Sequence, residues 1–455
     1  MQISARTPDT IYALASGAGR AGVAVIRVSG PRAARALTAL TQADVPQPRR
    51  AVLHRLRHPH GGETLDDALV LWFAGPASFT GEDVAELHVH GGPAVVDGVL
   101  GALSGLDGLR LAEPGEFTRR AFENAKLDLT QVEGLADLIE AETEAQRRQA
   151  LRQSEGQLGR LYDGWRGALI RAAAHFEAEL DFSDEELPED LHVAVVDDVR
   201  ALHTAILAHL ADGHRGERLR DGVRLAIIGP PNAGKSSLMN ALARREAAIV
   251  SDTAGTTRDV VEVHLNLGGY PLLVADTAGL RESGDDVERE GVRRARAWAE
   301  SADLRLAVFD GSALPRLDPE TLALLRTDTI VAVNKADAAG AAIPGAIGGY
   351  PVVALSVRTG QGMDALLDDL TRRVAGRCRA DAEGPAPTRA RHREALVRTA
   401  EALRRFLARE NPQHLGAELE AEDLRLAARE LGRITGRVDV EDLLDVIFRD
   451  FCIGK

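Results

Sequence analysis

Along the first part of the chain, apolar residues come in short runs that glycine interrupts. Val23 to Val28 is apolar and β-branched and stops at Ser29-Gly30-Pro31, which predicts a strand ending in a turn. Val84 to His90 alternates and ends at Gly91-Gly92-Pro93, after which Ala94 to Leu103 takes helical spacing. The pattern predicts a small α+β domain over residues 1–124. From about Leu127 the period changes: Val132, Leu135, Ala136 and Ile139 fall at i, i+3, i+4 and i+7, on one face of a helix. Long helices are expected to about Leu210, giving the first part of a helical domain over 125–221.

At Asp221-Gly222 the character changes again. Val223 to Ile228 is a buried-strand run, and strands alternate with helical stretches until about Gly376. That alternation implies a mostly parallel sheet with helices on both faces over 222–376. Glu383 to Pro387 reads as a linker. Helical spacing then returns at Leu424, Ala427, Ala428 and Leu431, and at Leu444, Ile447, Phe448 and Phe451, within a second helical part over 377–455. Helical blocks on either side of one α/β block predict an insertion into a single discontinuous helical domain, which is tolerated where termini lie close together. The fold class expected is multidomain, α/β and α.

The length of 455 residues agrees with about three domains. No run approaches the roughly 18 apolar residues needed to span a bilayer, and Met1 to Gly30 lacks the basic start and apolar core of a secretion signal. A cytoplasmic protein with no membrane contact is expected. Cys378 and Cys452 cannot make a disulfide framework, which suits a reducing compartment. A formal net charge of −14 argues against a general nucleic-acid binder. The densest basic stretch, Arg389, Arg391, Arg393, Arg398, Arg404 and Arg405, reads as the solvated face of a helix.

Chemistry enters at the end of the Val223–Ile228 strand. Gly229-Pro-Pro-Asn-Ala-Gly-Lys-Ser-Ser237 fits G-x-x-x-x-G-K-[ST] between a strand and a helix, the context that gives the motif its meaning. Backbone N–H groups of such a loop hold phosphate oxygens; Lys235 would reach the β- and γ-phosphates and Ser236 would ligate magnesium. Gly255-Thr256-Thr257 supplies Thr257 as a second magnesium ligand in a switch segment. Asp276-Thr277-Ala278-Gly279 ends a strand, where the aspartate can hold magnesium through water and Gly279 can meet the γ-phosphate. Asn334-Lys335-Ala336-Asp337 ends a later strand. The Asp337 carboxylate can accept hydrogen bonds from guanine N1–H and its 2-amino group, donors that adenine lacks, so GTP is expected over ATP. Ser356-Val357-Arg358 closes the set beside the base. The block is therefore expected to be a Ras-like P-loop GTPase domain.

Many small GTPases place a glutamine after D-x-x-G to orient the attacking water. Here the residue is Leu280, which can neither orient nor polarise water. One substitute lies in the acidic stretch Glu282, Asp285, Asp286, Glu288 and Glu290, whose plainer reading is a solvated loop. The other is a cation beside the phosphates, for which Asn232 is well placed.

Taken together the residues resemble the MnmE (TrmE) family of tRNA-modification GTPases. The likeness rests on Gly81-Glu-Asp-Val-Ala-Glu86 followed by His90-Gly-Gly92, Pro114-Gly-Glu-Phe117, Lys126-Leu-Asp-Leu129, the P-N-A-G-K-S-S loop, Ala254 to Asp259, Asp276 to Arg281, and the terminal Cys452-Ile-Gly-Lys455. It implies an N-terminal tetrahydrofolate-binding domain that forms a homodimer, a discontinuous helical domain, and an inserted G domain. It also implies work with an FAD-containing partner, MnmG (GidA). Together they would add an aminomethyl or carboxymethylaminomethyl group to C5 of the wobble uridine of certain tRNAs. The one-carbon unit would come from a 5-formyl- or 5,10-methylene-tetrahydrofolate.

Carried over by motif, the resemblance implies GTP contacts from Asn232, Ala233, Gly234, Lys235, Ser236 and Ser237 of the phosphate loop. It adds Ser251, Asp252, Thr253, Ala254, Gly255, Thr256 and Thr257 of the switch. Potassium would be held by Asn232, Ser251, Thr253 and Thr256. Serine at 251, where threonine is common, keeps the hydroxyl, and Thr253, where an apolar residue is common, keeps its carbonyl. Catalytic roles are implied for Glu288, Lys235 and Arg281, with Glu288 orienting water through a second water. Cys452 is either close to the modification chemistry or a buried apolar-like residue. Folate contacts are implied for Arg27, Glu86, Lys126 and Lys455. A pure switch in ribosome assembly is the alternative function. It calls for a basic RNA-binding appendage, which the composition does not supply, and leaves the C-terminal motif unexplained.

Overall fold

In the computed structural model, the described residues are 9–181, 191–245, 248–249, 262–276, 300–378, 384–408 and 417–438, with 444, 447, 448, 451 and 454. The chain divides into two compact units, Met1–Ala136 with Gly432–Lys455, and Asp137–Leu431.

In the first unit the short apolar runs become β1 (Thr10–Leu14), β2 (Ala21–Ser29), β3 (Val52–Arg57), β4 (Thr64–Phe73), β5 (Val84–Gly91) and β6 (Leu109–Leu111). They form one sheet in the order β3-β4-β5-β2-β1-β6, antiparallel except for the β1–β6 pair. Alternation along β5 sends Ala85, Leu87 and Val89 into the core. There they meet Ala36, Leu37 and Leu40 of α1 (Ala33–Thr41) and Val99 and Leu103 of α2 (Pro93–Ser104). Glu86 and His88 therefore point to the other face. The helices α3 (Glu116–Glu123) and α4 (Leu129–Glu140) follow.

The end of the chain returns to this unit. Phe448 and Phe451 pack with Leu129, Val132 and Leu444. Gly115 has φ +68°, and a Cβ there would stand 2.6 Å from the Phe448 carbonyl oxygen. Gly454 has φ +97°, and a Cβ there would stand 2.0 Å from the Leu14 carbonyl oxygen. Only glycine satisfies both demands. The apolar stripe expected on α4 fades along its length, since Val132 is buried and Ile139 is 42% exposed.

In the second unit α5 (Glu144–Ser154), α6 (Gln157–Asp181), α7 (Leu191–Leu210) and α8 (Arg215–Asp221) precede the α/β block, and α12 (Ala390–Ala408) and α13 (Ala417–Thr435) follow it. Thr143 and Gln146 form a reciprocal capping box that starts α5. Among the described residues no helix is long and apolar enough to cross a membrane.

The α/β block contains β7 (Val223–Ile228), α9 (Lys235–Arg245), β8 (Ala248–Ile249), β9 (Glu262–Leu267), β10 (Tyr270–Asp276), β11 (Leu304–Asp310), α10 (Pro319–Ala323), β12 (Thr329–Asn334), β13 (Ala346–Ile347), β14 (Tyr350–Ala354) and α11 (Met363–Cys378). The sheet order is β13-β14-β12-β11-β7-β10-β9-β8. The five central strands run parallel and the edge strands β8, β9 and β13 antiparallel. Leu238, Leu242, Leu366 and Leu370 of α9 and α11 cover one face of the sheet. Phe309, Val331 and Val333 pack on the other, with Leu322 of α10. The fold is multidomain, with an N-terminal α+β part, a helical part and a P-loop α/β part.

The arginine row after the linker is a solvated face only in part. Arg389 pairs with Asp137 at 2.7 Å, Arg393 with Asp212 at 2.7 Å and Glu217 at 3.1 Å, and Arg405 with Asp423 at 2.8 Å. Arg404, exposed on α12, keeps to the expectation, and Arg398, 55% exposed, lies 3.8 Å from Glu430. Charge counting along a sequence cannot see carboxylates that arrive from other helices.

Candidate nucleotide-binding site

β7 lies between the parallel strands β11 and β10 and all but one of its residues are buried, so its carboxyl end opens at the crevice where such sheets bind ligands. The chain leaves it through Gly229, where a Cβ would lie 2.3 Å from the Val308 carbonyl oxygen of β11. Asn232 takes a left-handed conformation at φ +64°. Gly234 has φ +91°, and a Cβ there would lie 2.3 Å from Asn334 Nδ2. The first turn of α9 begins at Lys235, leaving helix N–H groups at the mouth of the loop.

Asn334, 3% exposed, ties the parts together. Its Nδ2 donates to the Ala233 carbonyl oxygen at 2.9 Å, and its Oδ1 accepts from the Val357 N–H at 3.1 Å. One side chain at the end of β12 thus sets the loop after β7 and the loop after β14 in register. Lys235 Nζ donates to the carbonyls of Gly229 and Pro230 at 2.8 and 2.9 Å. Its side chain is 8% exposed, so these carbonyls hold a nearly buried ammonium against the floor of the loop. Asn232, Ser236 and Ser237 are exposed beside it.

Lys335 sits at φ +60° and its ammonium pairs with Asp310 at 2.6 Å. Ala336 donates its N–H to the Leu355 carbonyl at 3.0 Å. Asp337 pairs with Arg358. A hydrogen bond from Ser356, then the Arg358 guanidinium, hold its carboxyl below the usual carboxylate range, so it is an ionised acceptor at neutral pH.

The structure therefore brings together Asn232 to Ser237, Asn334 to Asp337 and Ser356 to Arg358. The backbone of Asp276 pairs with Ile227 at the end of β7, next to the phosphate loop. The expected site residues Ser251, Asp252, Thr253, Ala254, Gly255, Thr256, Thr257, Thr277, Ala278, Gly279, Arg281, Glu288, Cys452 and Lys455 lie outside the described residues, as does the side chain of Asp276. Sequence reasoning missed Asp310, whose signal was its place at the end of β11, directly across from Asn334.

A second group of expected residues lies on the sheet of the first unit. Arg27 and Glu86 are cross-strand neighbours on β2 and β5. Arg27 Nε and Nη2 both donate to Glu86 Oε1, at 3.0 and 2.9 Å, while Oε2 faces His88 Nε2 at 3.5 Å. The guanidinium lies 5.5 Å from the Phe79 ring centre and 5.6 Å from that of Phe117. Lys126 Nζ donates to the Pro76 carbonyl at 2.9 Å. His88 was missed, although the two-residue period of β5 puts it on the same face as Glu86.

Comparison with known proteins adds three findings. The family model for the GTP-binding protein TrmE N-terminus matches residues 10–126, and that for the MnmE helical domain matches 129–452. The tRNA modification GTPases MnmE of Parvibaculum lavamentivorans and Paramagnetospirillum magneticum are 60% and 58% identical to this chain, each match covering 98% of it and 100% of the relative. The mitochondrial 5-taurinomethyluridine-[tRNA] synthase subunit GTPB3 of Danio rerio is 52% identical over 98% of this chain and 93% of its own.

Proposed function

The chain belongs to the MnmE family of tRNA modification GTPases and is a GTP hydrolase of tRNA modification; from that premise we propose how its own residues do the work. The observation that carries the reading is Asn334, whose amide joins the phosphate loop to the loop beside the base. The division 1–124, 125–221, 222–376 and 377–455 belongs to the proposal.

When GTP enters, Lys235 leaves the carbonyls of Gly229 and Pro230 for the β- and γ-phosphates, which carry full charges where carbonyls carry partial ones. The N–H groups at the start of α9 hold phosphate oxygens. Asp337 accepts from guanine N1–H and the 2-amino group, and Arg358 turns away so that both carboxylate oxygens can meet the base.

The residues present fit the ions the reaction needs: Asn232 and Ser236 stand exposed in the loop and at the start of α9, offering the oxygen donors that hard cations take. Ser236 and Thr257, with Asp276, would hold magnesium, and Asn232, Ser251, Thr253 and Thr256 would hold potassium. Both ions, when bound, supply positive charge beside the γ-phosphate. Glu288 orients water in place of the side chain that Leu280 lacks, and Arg281 acts with Lys235 as a catalytic cation.

On the sheet of the first unit, Glu86 keeps Oε2 available for a pterin's ring N–H and amino group, while Arg27, Lys126 and Lys455 suit the cofactor's glutamyl carboxylates. The folate supplies the one-carbon unit when bound. Leu53 and Leu69, cross-strand neighbours exposed by 70% and 40%, support a homodimer through this domain. An FAD-containing MnmG partner, tRNA as substrate, addition at uridine C5 and a cytoplasmic setting complete the proposal, and Cys452 is placed near that chemistry.

The test is GTP turnover by the full chain in potassium and in sodium at matched ionic strength. Stimulation of at least ten-fold by potassium is expected; equal rates would leave the GTPase standing and remove the potassium site.

A further inference from the structure

We infer that the cleft formed by α5, α8, the turn between β9 and β10, and the linker 384–388 is a binding site for a small phosphate-bearing anion, separate from the GTP site. It lies wholly within the second unit, has a volume of about 490 Å³, and shares no residue with the phosphate loop or the base-side loops. That volume is in the range of small-molecule sites and is too small for a nucleic-acid duplex.

Charge is the first argument. In a chain of net charge −14, this cleft is lined by three arginines, Arg148, Arg152 and Arg215, and one carboxylate, Glu144. Glu144 is already bound, by Arg147 and Arg148 at 2.8 Å each. Arg152 is different. It lies one turn beyond Arg148 on α5 and is exposed. Among the described residues it meets no carboxylate, its one hydrogen bond being from Nε to the Arg148 carbonyl at 3.4 Å. Planar guanidinium forks suit the oxygens of phosphate, and a polyphosphate has enough oxygens to occupy more than one of them.

Polar satisfaction is the second argument. Thr388 in the linker is 3% exposed, and its Oγ1 is shielded from solvent with no hydrogen-bond partner. Buried hydroxyls are normally paired, so an orphan lining a cleft calls for an explanation. A ligand oxygen would accept its hydrogen. The opposite wall is fixed to the same helix: the Ala145 N–H at the start of α5 donates to the Gly269 carbonyl at 3.1 Å, and Gly269 lines the cleft with Tyr270. An occupant would therefore touch both the helical part and the nucleotide-binding part.

The experiment uses the full chain saturated with GDP, so that the phosphate loop is filled, and measures radiolabelled pyrophosphate by equilibrium dialysis. One further equivalent is expected to bind, weakened at least ten-fold by Arg152→Gln and about three-fold by Thr388→Val. Because Arg152 is exposed, its variant keeps the fold, which circular dichroism checks. No binding beyond the GDP-filled site, or equal binding by Arg152→Gln, would overturn the proposal. Displacement of pyrophosphate by equimolar tRNA would also overturn it, by assigning the cleft to RNA phosphates.

Discussion

Asn334 and Asp337 stand three residues apart and do different jobs. Asn334 is buried and structural: both ends of its amide are spent on the Ala233 carbonyl and the Val357 N–H. Asp337 keeps an ionised carboxylate at the site's rim. Replacing Asp337 by Asn turns an acceptor into a group that also donates, which suits xanthine. GTP affinity should fall about 10–100-fold, the worth of one or two hydrogen bonds to a charged group, and xanthosine triphosphate should bind better, as competition with a fluorescent nucleotide would reveal. Unchanged GTP affinity would defeat the assignment. At this scale the motif spacing made legible the residues that the structure brings together around Asn334. It could not reveal that Lys235 rests on its own loop or that Arg358 caps Asp337, because both depend on chain segments meeting in space.

Between elements, polar groups decide more than the helical periods suggested. His209 of α7 lies against Tyr162 and Trp165 of α6, with its Nε2 3.0 Å from the Tyr162 hydroxyl oxygen. Burial, opposed by Asp212 and helped by Arg215, Arg393 and His392, pushes its pKa from 6.5 down to about 4. Between those values only the unfolded chain takes up the proton. The stability due to the neutral imidazole is therefore complete above about pH 6.5 and is lost as pH falls toward 4. The loss amounts to roughly 3 kcal/mol. Urea unfolding followed by circular dichroism should show this fall, and His209→Gln should flatten it; an identical pH slope in the variant would refute the assignment. Periodicity found these helices but not their pairing, since a histidine's partners come from α6 and α12, far away in sequence.

At the scale of the whole molecule, the end of the chain belongs with its beginning. Gly454 lies against Leu14 of β1 in a conformation only glycine adopts freely, next to the proposed folate ligand Lys455. Gly454→Ala should displace this terminus and weaken tetrahydrofolate binding at least ten-fold in a fluorescence titration, with basal GTP turnover unchanged. Normal folate affinity would separate Lys455 from that site.

The sequence by itself determined the strand–loop–helix of the glycine-rich loop, the residues proposed to recognise the base, and the alternation of strands and helices. Each is a local demand: a glycine where the backbone must approach another chain, a lysine at a helix start, an apolar period. Only the tertiary structure decided that the arginines after the linker pair with acids from distant helices, that Arg27 and Glu86 are cross-strand neighbours, and that a cleft with an orphan hydroxyl lies between α5 and the β9–β10 turn. Those are contacts between residues distant along the chain. Their energy depends on burial and on which partner arrives, and neither is written in the local pattern of residues.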